Sequence, residues 1–262
     1  MVSLLDATVP YIDKFKGIRI STRPDCIDEE ILSLLKDYKV TSIELGAQSM
    51  NDDVLLCNKR GHSSDDVYNA SALIKSYGFS LGLQMMTGLY MSDDHIDIET
   101  ARAFIKIKPD TVRIYPTIVM KNTNLAAFLD DKLYAPQLLN DAVKLCSKLI
   151  TMFEDNDINV IRVGLHHSES LDCDMVAGPY HPSFKELCES EILYNKLINK
   201  IKDKGICDTD ELFVKVSPSC VSKLIGNKRS NIKRLEESGY KIKVVQDKDV
   251  PVMDVVLDIQ RG

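Results

Sequence analysis

Polar side chains follow directly on five short apolar runs of this chain: Ser21-Thr22-Arg23, Gln48-Ser49, Thr87-Gly88, Pro116-Thr117 and His166-His167. If the runs are parallel strands, these clusters share one sheet edge, the edge that holds the active site in a β/α barrel. Loops are polar whatever they do, so a plain connecting role stands beside the functional one. His166, His167 and His181 invite a metal test. Adjacent residues on a strand point to opposite sides, so at most one of the first two can join His181. No carboxylate or cysteine stands at ligand-like spacing beside them, and the histidines read as loop or mouth residues. Seven cysteines are scattered at Cys26, Cys57, Cys146, Cys173, Cys188, Cys207 and Cys220, none in a Cys-x-x-Cys pair. That spacing excludes a zinc ribbon or compact iron–sulfur motif within these residues and reads as reduced cytosolic thiols.

The elements that must position these groups alternate. Strands are expected at Gly17–Ser21, Ser42–Gly46, Phe79–Met86, Thr111–Tyr115 and Val160–Leu165, each short and rich in Ile, Val or Leu. Helices are expected at Ile27–Tyr38, Ser63–Tyr77, Ile98–Ile107, Pro136–Phe153 and Pro182–Lys202. Asp28, Glu29 and Glu30 suit the dipole at the start of the first, Ser63 caps the second, and Gly78 ends it. The order predicts a parallel α/β sheet with right-handed crossovers, open or curled into a barrel. Arg19 and Glu44 fall on inner strands and are a candidate buried pair, since each charge there needs a partner.

The chain of 262 residues carries 33 Lys+Arg against 39 Asp+Glu, a formal charge of -6, with 44% hydrophobic residues. No run approaches the ~18 apolar residues of a membrane span, and no secretory leader is visible at the start, so a cytoplasmic protein without membrane association is expected. Overall acidity argues against coating nucleic acid by bulk charge. The end of the chain differs. From Ser217 to Lys243, seven cations face two carboxylates, in a β-α-α-β-β pattern. A linker is expected near residues 203–208, dividing the chain into segments 1–204 and 205–262.

Six segments taken together resemble the radical S-adenosylmethionine (SAM) enzymes: GIRISTRPDCIDEEIL (Gly17–Leu32), SIELGAQSMNDDVL (Ser42–Leu55), NKRGHSSDDV (Asn58–Val67), GFSLGLQMMTGLY (Gly78–Tyr90), KPDTVRIYPTIV (Lys108–Val119) and VAGPYHPSF (Val176–Phe184). The resemblance is to the branch that groups the Elongator catalytic subunit with oxygen-independent coproporphyrinogen III oxidase-like proteins. It implies a partial radical SAM-type β/α barrel, with SAM and a 4Fe-4S cluster as cofactors of the intact family protein. The family's Cys-x-x-x-Cys-x-x-Cys cluster loop does not occur in these 262 residues. The chain therefore reads as the C-terminal part of such an enzyme, inactive without the cluster-binding half. A separately encoded N-terminal half, or self-association through an open strand edge, is the expected partner. By the same resemblance, Ser21 lies near SAM, Gln48 contacts a ribose hydroxyl or the amino-acid carboxylate, Arg60 pairs with that carboxylate, and Gln84 faces the nucleoside. Met85 and Met86 flank adenine or fill the core. Tyr90 stands where the family usually has proline after Gly-Leu.

The segment Lys223–Val245 resembles a KH domain, whose Gly-x-x-Gly loop clamps single-stranded nucleic acid. Gly226 is present, but Arg229 replaces the second glycine, and its side chain is expected to occupy the space that close backbone approach needs. Lys228, Arg229, Lys233 and Arg234 are the candidate phosphate contacts. The expected function is SAM-dependent radical chemistry directed at tRNA or another RNA. The alternative is a non-catalytic RNA-binding module that uses the KH-like tail. An ordinary β/α barrel enzyme binding a phosphate is a weaker third reading, because no Gly-rich loop opens a helix.

Overall fold

The computed structural model describes residues 2–206 and 211–260, so residues 207 and 208 of the expected linker lie outside the described residues. Each expected strand forms with its ends moved by a residue or two: β1 Ile18–Thr22, β2 Val40–Gln48, β3 Ser80–Thr87, β4 Thr111–Pro116 and β6 Asn159–Val163. They make one parallel sheet in the order β1-β2-β3-β4-β6. A two-residue strand β5 (Val119–Met120) pairs antiparallel with β7 (Met175–Ala177), a feature too short to show as periodicity.

Local chemistry fixes the helices. The first, α1, is a single short turn at Val2–Asp6. In α2 (Glu29–Asp37) the Asp28 carboxylate caps the Ile31 N–H at 2.7 Å. Asn51 caps α3 (Asp52–Cys57), which the periodicity does not announce. Ser63 opens α4 (Ser64–Ser76) through a reciprocal capping box with Asp66, and Asp93 caps α5 (Asp94–Ile107). Next along the chain come α6 (Asn124–Asp130), α7 (Leu139–Glu154), α8 (Glu169–Asp174) and α9 (Phe184–Asp203).

Alternation along β3 and β4 divides the sheet into two chemistries. Leu81, Leu83 and Met85 of β3, with Val112 and Ile114 of β4, are fully buried on one face. Each such side chain contributes roughly 1.5–3 kcal/mol by leaving water. The opposite face carries Gln84, Met86, Arg113 and Tyr115, all half-buried. Polar groups therefore line one side of a sheet whose other side is core.

The chain forms two compact units, residues 1–142 with 152–180, and residues 143–151 with 181–262. Helix α9, which the sequence boundary at 204/205 places with the first segment, packs in the second. Its Leu193, Leu197 and Ile201 join Leu212, Val214, Val216, Leu224, Leu235, Val255 and Leu257 in one core. The reason is physical: a small sheet must bury one apolar face, and α10 (Val221–Ile225) and α11 (Ser230–Glu237) are too short to cover it alone. That sheet contains β8 (Glu211–Val216), β9 (Lys241–Gln246) and β10 (Val255–Gln260) in the order β10-β8-β9, with α10 and α11 between β8 and β9.

Candidate functional site

On the polar face of the sheet, the 3% exposed Glu44 of β2 is the centre of a charge network. Arg113 Nε lies 2.7 Å from Glu44 Oε2, whereas the expected partner, Arg19, lies 4.0 Å away. Ser21 donates to the same carboxylate at 3.4 Å, and Arg113 donates to the Tyr115 hydroxyl at 3.3 Å. Ser21 is thus tied to Glu44 rather than to the other candidates. Arg113 escapes sequence reasoning, although its alternation with Val112 and Ile114 marks the polar face.

Gln48 and Gln84 are brought together. Gln84 Nε2 donates to Gln48 Oε1 at 3.2 Å, and Gln48 is 4% exposed. The parallel register breaks between Leu45 and Gln48, and Gln48 itself takes φ +67. Gly46 leaves room for the folded-back amide, because a Cβ there would sit 2.7 Å from Gln48 Nε2. His62, another residue that sequence reasoning passed over, bonds through Nε2 to the Ala47 carbonyl at 3.0 Å.

Arg60 differs from its neighbours. Arg23 is held by Asp25 through two contacts of 2.9 and 2.6 Å and by the Gly61 carbonyl at 3.1 Å. Arg60 has no carboxylate partner among the described residues, and its Nε is buried without a hydrogen bond. Burial first, and the nearby Arg23 charge second, lower its pKa from the ordinary arginine value. It lines a cavity of about 310 Å³ with Asn58, Met86, Leu89, Thr117 and Phe128. Met86 is two residues beyond Gln84 on the same face of β3, while Met85 is core.

The turn after β3 is fixed from three sides. Gly88 donates its N–H to Asp97 Oδ2 at 2.9 Å and accepts from the Tyr134 hydroxyl at 2.7 Å, and Asn58 Nδ2 donates to the Tyr90 carbonyl at 2.8 Å. Burial pushes the Asp97 carboxyl up to about 6, despite the donors from Ser92 and Gly88. Burial, with the Asp97 charge behind it, pushes Tyr134 up to about 12. Tyr90, at the family's proline position, packs on Phe128 with ring centroids 4.7 Å apart. Each of the three histidines has a local partner: His167 pairs at 2.9 Å with Asp172, a carboxylate that the spacing argument passed over, His166 pairs with Arg162, and His181 accepts from the Ser183 N–H at 3.1 Å.

In the second unit, Arg229 stands where the KH pattern has its second glycine, at the end of the loop Gly226-Asn227-Lys228-Arg229. Its backbone takes the left-handed conformation, φ +62, and its side chain is 64% exposed, with a guanidinium nitrogen 3.8 Å from Glu236. Lys228 is also left-handed, at φ +50. Gly226 is obligatory, because a Cβ there would meet Ser230 Oγ at 2.5 Å. Lys228, Arg229 and Lys233 are exposed. Arg234 is engaged otherwise: it pairs with Glu191 and stacks over Tyr194, 3.6 Å from the ring centroid.

The chain matches three family models: the radical SAM superfamily over residues 3–102, the radical SAM C-terminal domain over residues 109–193, and the KH domain over residues 211–259. It is 32% identical over 123 residues to a tRNA uridine(34) acetyltransferase of Dehalococcoides mccartyi, covering 46% of this chain and 27% of the relative. It is 31% identical over 144 residues to human Elongator complex protein 3, covering 54% and 26%. The chain thus spans about a quarter of the length of the curated relatives it matches. Among solved structures, the archaeal Methanocaldococcus infernus Elp3 superposes with a TM-score of 0.59 at 26% identity, over 73% of this chain and 42% of that one.

Proposed function

Because the chain belongs to the radical SAM superfamily, in its Elongator-like branch, and joins that fold to a KH domain, we propose that it binds SAM beside Arg60, Gln48 and Gln84 and takes part in RNA modification, with tRNA as the substrate class. One observation carries the reading: Arg60, its Nε buried without a partner, lines a cavity of about 310 Å³ whose walls mix apolar Met86, Leu89, Ile118 and Phe128 with polar Asn58, Lys59 and Thr117. A cation desolvated without a partner is costly unless something outside the fold completes it. A carboxylate does so bidentately. The Gln48–Gln84 pair offers amide donors and acceptors suited to ribose hydroxyls. Glu44, neutralised by Arg113, serves to hold the polar face together.

In this superfamily, the bound SAM and 4Fe-4S cluster supply radical hydrogen abstraction. The residues here fit SAM but not the cluster. No three-cysteine loop occurs in the sequence, and no group of three His, Cys, Asp or Glu able to hold a metal occurs among the described residues. In this reading the cluster ligands come from outside these 262 residues, and without them these residues form no radical. The surface proposed to meet a cluster-binding segment is the edge of β1, which pairs only with β2 among the described residues and borders a cavity lined by Leu4, Leu5, Ile20, Ser21, Ile27 and Ile31. Light scattering that finds only a stable monomer argues against self-association there.

The test is calorimetric titration of SAM into the chain and into Arg60→Gln. Binding that the substitution leaves unchanged removes the assignment. Anaerobic reconstitution with iron and sulfide tests the other half, since a stoichiometric 4Fe-4S cluster on this chain alone contradicts it. The exposed, left-handed Lys228-Arg229 step favours a second reading, a non-catalytic RNA-binding module in the cytoplasm. Salt-dependent binding to single-stranded RNA without any SAM binding supports that one.

A further inference from the structure

The Arg60 cavity contains a second orphaned polar group. Thr117 is 3% exposed, and its Oγ1 is buried without a hydrogen-bond partner. Hydroxyls at element ends usually bond to nearby backbone, and buried ones are almost always paired. This residue is held firmly. Its N–H donates to the Thr87 carbonyl at 2.9 Å, tying the tips of β3 and β4 together. Gly178 packs so closely that a Cβ on it would come within 3.0 Å of the Thr117 carbonyl oxygen. The backbone is therefore fixed on both sides, and the side chain is committed to the cavity wall without a protein acceptor.

The unpaired Arg60 and Thr117 atoms share the cavity with Lys59 and Asn58 on one side and Met86, Leu89, Ile118 and Phe128 on the other. Cations and a hydroxyl beside an apolar wall suit a ligand with an anionic end attached to a less polar body. We propose that Thr117 is a ligand-contacting residue, its hydroxyl bonding the amino-acid end of the molecule whose carboxylate Arg60 receives. The inference rests on the SAM reading above and adds a specificity-determining group to it. A hydroxyl can give one hydrogen bond and accept others, so it serves either a carboxylate oxygen or an amino group, which the guanidinium alone cannot do.

Thr117→Val replaces the hydroxyl with a methyl of nearly the same shape, and Thr117→Ser keeps the hydroxyl while losing the methyl. Both are compared with the full chain by calorimetric titration of SAM, with the unfolding midpoint recorded alongside. The expected result is about tenfold weaker binding for Thr117→Val, an affinity within about twofold for Thr117→Ser, and a midpoint not lowered by the valine. Wild-type affinity in Thr117→Val overturns the inference and leaves the SAM reading standing. Equal losses in both variants, with lowered midpoints, assign Thr117 to packing and overturn it as well. No SAM binding by the unaltered chain removes the parent reading and this inference together.

Discussion

Arg60 and Arg234 are both partly buried, both selected from the sequence as ligand contacts, and opposite in what surrounds them. In the KH unit, Arg234 meets the 11% exposed Glu191 side chain and the Tyr194 ring, so every demand of its charge is met within the fold. In the sheet unit, Arg60 has lost water and gained no carboxylate. A buried charge that is satisfied contributes to holding its surroundings, and one left unsatisfied marks where something else is to arrive. Charge type and sequence position do not separate the two. Partner accounting does.

The largest expected effect tests the satisfied side. Arg234→Ala leaves Glu191 buried and alone, and removes the stacking on Tyr194. It should cost the C-terminal unit about 2–3 kcal/mol, a figure kept low because the Arg234 side chain is 38% exposed. Urea denaturation measures it, and a loss under 0.5 kcal/mol would collapse the contrast. Arg60→Met tests the other side. It should weaken SAM binding by about 10- to 100-fold while the unfolding midpoint holds or rises, since an unpaired cation is replaced by an apolar chain of similar length. A fall in both affinity and stability would make Arg60 structural, like its counterpart.

Asp97 lies between these extremes: buried, hydrogen-bonded by Ser92 and Gly88, yet without a cation. Its folded pKa of about 6 stands above the ordinary 3.8, so the native state binds the extra proton between these values. The stability this group contributes is full below about pH 4 and is lost as pH rises through 6. Unfolding at pH 5 should require about 1.4 kcal/mol more than at pH 7 on its account, and Asp97→Asn should abolish that difference. A slope of the opposite sign would mean that the Gly88 and Ser92 donors outweigh burial.

What the sequence displays follows the range of the interactions. Strand runs, the Ser63 cap and helices α2, α4 and α5 are local and therefore readable. The Gln48–Gln84 meeting follows from parallel neighbours, but the register break and left-handed φ that turn Gln48 back toward its partner leave no periodic trace. Arg113 was a partner of Glu44 hidden by the nearer candidate Arg19, and choosing between them requires knowing the register of β2, β3 and β4. Arg234 reads as a free cation because Glu191 and Tyr194 lie some forty residues earlier on α9. The orphaned atoms at Arg60 and Thr117 are defined by what does not reach them, which no single sequence displays.

The smallest effect concerns Arg229, where backbone and side chain make opposite demands. An L-residue held at φ +62 costs about 1 kcal/mol that glycine avoids. Arg229→Gly should therefore stabilise the KH unit by about 1 kcal/mol, less the entropy that glycine loses on folding. If the exposed guanidinium touches RNA phosphate, the same change should reduce the salt dependence of binding by about one counterion, with little effect on sequence preference. Lys228→Gly has the same backbone argument at φ +50 and supplies a second measurement at the adjacent position. A stabilised domain with an unaltered salt slope in both variants would give the loop a fold-shaping role alone. A reduced slope in both would show that the chain accepts left-handed strain at two consecutive cations because their charges are used.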